Sequence, residues 1–205
     1  MFVEINPTNI DNRLIQQAVN CLRNGGIIIF PTDTVYAIGC DLMNKKALQD
    51  LARLKGTKLN KINFAIICHD LSNLSLYSKQ IDRATFKLLK HHLPGPFTFI
   101  LPANNDIPKI FDTNKKEIGI RVPDNEIVLE IVRQLGNPIA TTSLHNKEDN
   151  IQEYFSDPYE IYQNYDDDVA MIIDGGYGKL DVSTVVDCTQ GAPEIVRQGL
   201  GILEI

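Results

Sequence analysis

Arginines and hydroxyl residues gather where short apolar segments end. Phe30 closes one such segment and is followed by Pro31, Thr32, Asp33 and Thr34. Arg121 ends a second, just before Pro123; Thr141, Thr142 and Ser143 end a third; Ser183 and Thr184 open a fourth; Arg197 ends the last. In open α/β sheets, ligands sit in the loops beyond strand ends. A guanidinium is a planar fork suited to a carboxylate or a phosphate, and hydroxyls both donate and accept. Together the set suits an anionic ligand that carries a hydroxyl. Each piece alone also has a structural reading. Pro-Thr-Asp-Thr is good turn and cap chemistry, Thr in strands reflects β-propensity, and an Arg beside Pro serves equally as a surface ion pair. His145 lies too close to Ser143 in sequence to argue a triad. Asp166, Asp167 and Asp168 read as a solvated loop. Neither a phosphate-binding G-x-x-x-x-G-K-[ST] nor a dinucleotide G-x-G-x-x-G is present.

The elements that must hold these groups alternate between helix and strand. Thr8 or Asn9 can cap a first helix with Ile10, Leu14, Ala18 and Leu22 on one face and Gly25-Gly26 as its stop. Residues 27–30 form an apolar strand, and the patch after Thr34 breaks at Gly39. Asn44 caps a helix to about Leu54; a strand over 63–68, a short helix over 72–77 and a helix over 81–93 follow, the last ended by Pro94-Gly95-Pro96. Strands over 97–101, 118–122 and 138–142 enclose a helix over 127–135 closed by Gly136. Residues 144–156 read as a polar loop, and Ser156 or Asp157 with Pro158 starts a helix. Strands over 169–173, 182–188 and 194–197 follow one another with no helix between them, which predicts a mixed parallel and antiparallel sheet in a single α/β domain over residues 1–205.

Composition narrows the partners. The 205 residues are 43% hydrophobic and 22% charged, an ordinary globular balance. No apolar run approaches the ~20 residues of a membrane helix, and the N-terminal residues lack the pattern of a signal peptide. Cys21, Cys40, Cys68 and Cys188 are scattered without a C-x-x-C pair or a zinc-ligand spacing, so reduced thiols and a cytoplasmic protein without a metal centre are expected. The formal net charge of −6 opposes strong nonspecific nucleic-acid binding. Locally, residues 45–61 carry Lys45, Lys46, Arg53, Lys55, Lys58 and Lys61 against Asp50, whereas residues 148–168 carry eight acids and no Lys or Arg. A basic stripe on an acidic chain fits a small polyanion better than a long one.

Seven blocks, in order, resemble the YrdC/YciO family, whose best-known members are threonylcarbamoyl-AMP synthases: "GGIIIFPTDTVYAIGCD", "LPGPFTFIL", "IGIRVPDN", "PIATTSLHN", "IIDGG", "STVVD" and "IVRQG". Ala37 stands where the family has Gly, and Leu93 where it has Trp. The resemblance implies a twisted mixed sheet with flanking helices around a positively lined concave cleft. It implies a reaction of L-threonine, bicarbonate and ATP that yields threonylcarbamoyl-AMP for tRNA modification, with Mg²⁺ accompanying the ATP. By the same resemblance Arg121 would take the threonine carboxylate, and Thr32, Thr34, Thr141 and Ser183 would hold the rest of the amino acid. Lys55, Ser143 and Arg197 would meet the nucleotide, and Lys55 and Arg121 would carry the catalysis.

Two departures bear on the nucleotide. The synthases' K-x-R reads Lys55-Gly56-Thr57, leaving Lys58 as the substitute cation, and their S-x-N reads Ser143-Leu144-His145, with Asn146 one place late. Losing a phosphate-directed arginine costs about 10³-fold in rate, judged by arginine fingers. These features resemble the YciO branch. The alternatives are a binder of double-stranded RNA or tRNA on the same fold, and a paralogue that keeps the pocket without the synthase step.

Overall fold

A computed structural model describes residues 1–144 and 154–204. His145, Asn146 and most of the polar loop expected over 144–156 lie outside the described residues. The strands are β1 (Phe2–Glu4), β2 (Ile28–Phe30), β3 (Ala37–Asp41), β4 (Ala65–Ile67), β5 (Phe97–Pro102), β6 (Glu117–Arg121), β7 (Ile139–Ser143), β8 (Met171–Asp174), β9 (Thr184–Asp187) and β10 (Glu194–Arg197). The helices are α1 (Asn12–Arg23), α2 (Lys45–Leu54), α3 (Arg83–His92), the short α4 (Ile107–Ile110), α5 (Glu126–Leu135) and α6 (Pro158–Tyr165). The helix expected over 72–77 is a single 3-10 turn, Leu74–Leu76.

Local chemistry sets most boundaries. Asn44, Asp82, Asn125 and Asp157 each accept a backbone N–H of the first turn of the helix that follows. Gly136 ends α5 at φ 80°, a left-handed cap that suits glycine. The first helix departs from expectation: its cap is Asp11, whose carboxylate accepts from Arg13 N at 2.8 Å. Thr8 is occupied instead with the Asn6 side chain. A carboxylate one turn later outcompetes the earlier residues, and Ile10 is left before the helix, packed against its core.

All ten strands join one mixed sheet, in the order β1-β8-β2-β3-β7-β4-β6-β5-β9-β10. The parallel pairs are β1/β8, β2/β8, β4/β6 and β5/β9; the remaining neighbours are antiparallel. The late strands follow one another in sequence but not in space. β8 lies near one edge and β9 near the other, so residues 175–183 cross the molecule between them. On the way the segment is pinned by Lys179 N donating to Thr34 O (3.2 Å) and Gly178 N to Ser156 O (2.8 Å).

Side chains alternate across the sheet. Ile28, Phe30, Ile67, Ile139, Met171 and Ile173 face α1 and α5, whose buried side chains include Ile15, Leu22, Ile127 and Ile131. Ile29, Ile38, Ile66, Ala140 and Ile172 face the opposite way, into a larger core with Leu48 and Leu51 of α2, Leu89 of α3 and Ile161 of α6. Each such fully buried aliphatic chain contributes roughly 1.5–3 kcal/mol by leaving water. α1 and α5 cover only half of their face. Beyond them Ala65, Gly119, Thr98 and Val185 are left as the floor of a cleft.

β3 was not expected, because Gly39 reads as a break. It sits instead mid-strand, paired to Ile28 on one side and Thr141 on the other. A Cβ at Gly39 would stand 2.6 Å from Ile139 Cγ2 and 2.7 Å from the Ala140 carbonyl oxygen. The glycine marks a close approach of two strands. Gly39→Ala is expected to cost about 1–3 kcal/mol through overpacking, read as a fall in Tm of roughly 2–4 °C per kcal/mol for a chain of this size; an unchanged Tm would refute the close approach.

Candidate functional site

The turn after β2 is organised by Thr32. Its hydroxyl donates to the Val35 carbonyl at 2.7 Å and accepts from Thr34 N at 3.1 Å. This tight turn sends the Asp33 and Thr34 side chains toward the end of β6. There Arg121 Nη2 donates to Thr34 Oγ1 at 3.1 Å and to Asp33 Oδ1 at 3.2 Å. The other Asp33 oxygen accepts from Asp124 N at 3.1 Å, which fixes the chain leaving β6.

Both members of the ion pair are buried, with side chains 8% and 7% exposed. Burial pulls the Arg121 guanidinium below its ordinary range; Asp33 pulls it back up, and Arg197 adds to the depression. An arginine stays charged regardless. The depression therefore says that one carboxylate does not compensate the buried positive charge. Arg121 Nε is buried with no acceptor. An unsatisfied buried donor costs about 1–3 kcal/mol.

Arg121 and Thr34 border a cavity of about 420 Å³, within the ~300–1,000 Å³ range of small-molecule sites. Thr141 and Ser143 of β7 and Thr98 of β5 also line it, as do Ser183 and Arg197. The Thr141 hydroxyl donates to Ile38 O at 3.0 Å, so its remaining lone pair is what a ligand would meet. Ser183 Oγ is 2.9 Å from Thr98 Oγ1, and Arg197 Nη2 donates to Ser183 O at 2.8 Å. The lining also includes apolar Ile62, Phe64, Ile107 and Phe111 beside Asn63, Lys115 and Glu117.

The crossing segment after β8 closes the other side of the turn. Tyr36 Oη donates to Gly176 O (2.7 Å) and accepts from Gly175 N (3.1 Å), and burial pushes its pKa up to about 12. A Cβ at Gly175 would stand 2.6 Å from Pro31 Cγ, so the glycine allows the segment to lie directly on the turn.

The structure thus brings together Arg121, Thr34, Thr141, Ser143, Ser183 and Arg197. Thr32 does not line the cavity; it shapes the turn from behind. Lys55 follows α2, and its Nζ donates to the Ser143 carbonyl at 3.3 Å, at the cavity's margin. Lys58 is exposed and lies outside the cavity lining; its carbonyl accepts from Lys61 N and Ile62 N in a turn. The sequence reading placed Asp33 in the turn after Phe30 without a partner and did not single out Thr98, Lys115 or Glu117. Thr98 carries a signal in hindsight: it is the polar residue between Phe97 and Phe99, so it must face opposite to them. Asp33 looked like a turn residue, and only the approach of β6 makes it an ion-pair partner.

Known proteins agree with this architecture. The model of the Sua5/YciO/YrdC family, described as "Telomere recombination", matches residues 20–199. The uncharacterized protein YciO of Escherichia coli strain K12 is 40% identical over 201 residues, covering 98% of this chain and 96% of its own. The crystal structure of E. coli YciO superposes with a TM-score of 0.89 over 100% of this chain and 98% of that one, at 38% identity. A threonylcarbamoyl-AMP synthase of Pyrococcus abyssi is 29% identical over 195 residues, 93% of this chain but 55% of the synthase. The crystal structure of P. abyssi Sua5 complexed with L-threonine matches with a TM-score of 0.87 at 25% identity, over 97% of this chain and 57% of that one. The family thus includes threonylcarbamoyl-AMP synthases as well as YciO proteins. The chain belongs to the Sua5/YciO/YrdC family.

Proposed function

We propose that the cleft binds L-threonine and joins it, through bicarbonate and ATP, into threonylcarbamoyl-AMP with release of pyrophosphate and water. One observation carries the reading: a buried arginine, ion-paired to Asp33 and bonded to a threonine hydroxyl, borders a cavity in the small-molecule range. The likeness to a Sua5 complexed with L-threonine supports the same ligand. Arg121 would take the carboxylate, with Asp33 holding the guanidinium in place. Thr34, Thr141 and Ser183 would surround the ammonium and hydroxyl. As charge moves onto the departing pyrophosphate, Arg197 and Lys55 would meet it, since fixed cations in a partly dry cleft stabilise developing charge without reorganising. Ser143 would position the nucleotide. Mg²⁺ would ride on the phosphate oxygens and water; among the described residues no group of three or more His, Cys, Asp or Glu is placed to cage an ion.

A second reading, binding of double-stranded RNA or tRNA, is favoured by Lys45, Lys46, Lys58 and Lys61, which stand exposed along α2 and the loop after it. It predicts RNA affinity that falls steeply with salt and survives replacement of Arg121; fluorescence anisotropy on a duplex RNA from 50 mM salt upward decides it. A third reading, a ligand-binding paralogue without the synthase step, predicts threonine or nucleotide binding with no turnover.

Two outcomes test the leading reading. Arg121→Lys keeps the charge but loses the fork, and is expected to weaken L-threonine binding by at least about tenfold in calorimetry. Arg121→Ala would also strand Asp33 and cost about 3–5 kcal/mol of stability. Wild-type protein given threonine, bicarbonate, ATP, Mg²⁺ and pyrophosphatase is expected to form threonylcarbamoyl-AMP detectable by mass spectrometry. L-threonine binding unchanged in Arg121→Lys would remove Arg121 from the site, and threonine binding without product would reduce the function to the paralogue's.

A further inference from the structure

Lys58, the exposed lysine in the loop after α2, lies outside the cavity lining. Another lysine does reach the cavity. Lys115 precedes β6 and lines the cavity together with Glu117, Gly119 and Arg121. The spacing has a simple origin: in extended chain, every second side chain falls on the same face. The extended pairing reaches back past the strand's formal start, since Ala103 N donates to Lys116 O at 2.8 Å.

Four consecutive cleft-facing positions therefore read cation, carboxylate, no side chain, cation. Lys115 and Arg121 are six residues apart, about 20 Å along an extended strand. Gly119 leaves the middle of this line clear. A Cβ there would press on Thr98 Cγ2 at 3.1 Å and Ala65 Cβ at 3.3 Å, so the floor is built from small groups where a ligand must pass. Lys115 is half-buried and is steered by the Asn63 side chain, to which its Nζ donates. An ammonium has three N–H donors, and the Asn63 bond occupies one of them. Phe64 and Phe111, 5.6 Å apart between ring centroids, tie the loop before β4 to the α4 region beside Lys115, so the lysine stands on a braced segment.

From this we infer that Lys115, rather than Lys58, is the second phosphate-directed cation of the cleft, meeting the terminal phosphates of a nucleoside triphosphate whose acceptor amino acid is held at Arg121. The inference rests on the nucleotide part of the proposed function. Glu117, between the two cations, is the carboxylate nearest in sequence to such a phosphate chain; it would disfavour a bare triphosphate and favour one carrying Mg²⁺.

The test is a binding series on the full chain with Mg-ATP, inorganic tripolyphosphate with Mg²⁺, AMP and L-threonine, comparing wild type with Lys115→Gln, Lys58→Gln and the charge-matched control Lys116→Gln. Lys116 is exposed and one residue out of phase with the cleft face. Lys115→Gln is expected to weaken Mg-ATP and tripolyphosphate by about tenfold or more, the usual range for a lost hydrogen bond to a charged group, while AMP and threonine change less than about twofold. Lys116→Gln is expected to match wild type. Equal loss for AMP and ATP would overturn the inference by placing Lys115 at the nucleoside. So would a loss confined to Lys58→Gln, or an equal loss in Lys116→Gln, which would reduce the effect to general charge. If wild type binds threonine but none of the phosphate probes, the nucleotide reading itself falls and this inference with it. Wild-type Mg-ATP binding unaffected by Lys115→Gln overturns the inference alone.

Discussion

Arg121 is a charge that the fold places in a region where water cannot solvate it. The structure tolerates it because Asp33 stands 3.2 Å away and Thr34 accepts a second hydrogen bond. That pairing joins two segments 88 residues apart in the chain, the turn after β2 and the end of β6. It also reaches the helix beyond, because Asp33 accepts from Asp124 N and Asn125 then caps α5. The position of α5 over half the sheet, and so the edge of the cleft, follows from the same contact. A buried ion pair is a poor source of net stability, since desolvation consumes most of the attraction. Here the pairing is incomplete as well, with Nε unsatisfied.

The cleft itself is a consequence of unequal coverage. Both faces of the sheet alternate correctly, but α1 and α5 pack only against the strands near β8, β2 and β7. Farther along, the same face carries Ala65, Gly119, Thr98 and Val185. Small and hydroxyl residues bury little apolar area, so no helix is drawn onto them, and the floor stays open. On the reverse face the same strands carry Phe99, Ile120 and Val186 and pack fully. One strand thus serves core on one side and ligand on the other.

The cysteines fit the same division between core and site. Burial raises the Cys68 thiol to about 12 and Cys188 to about 11, and drives Cys40 higher still. They behave as small apolar side chains, because a thiolate is strongly disfavoured in such surroundings. The polar chemistry of the molecule is concentrated on hydroxyls and guanidinium groups at strand ends.

Much of this was legible in the amino-acid sequence, and for local reasons. Asn44, Gly136 and Pro158 announce helix ends because capping depends on a few adjacent atoms. The apolar runs announce strands, and the order of motifs identifies the family. That Arg121, Thr34, Ser183 and Arg197 gather at one cavity was legible because each stands at a strand end. What sequence could not rank were the competing caps Thr8, Asn9 and Asp11, or the role of Gly39, whose neighbours come from a strand a hundred residues later. Thr32 and Lys58 show the limit most clearly. Their types suit a ligand, yet one hydroxyl is spent on its own turn and one exposed lysine lies outside the cavity lining. Orientation depends on which backbone groups a side chain finds when distant strands pair. The sequence by itself determined most of the elements, their mixed order and the polar residue types at the strand ends. Only the tertiary structure decided that Asp33 would be the partner of Arg121 and that Lys115 would share its cleft, because both facts depend on register across the sheet.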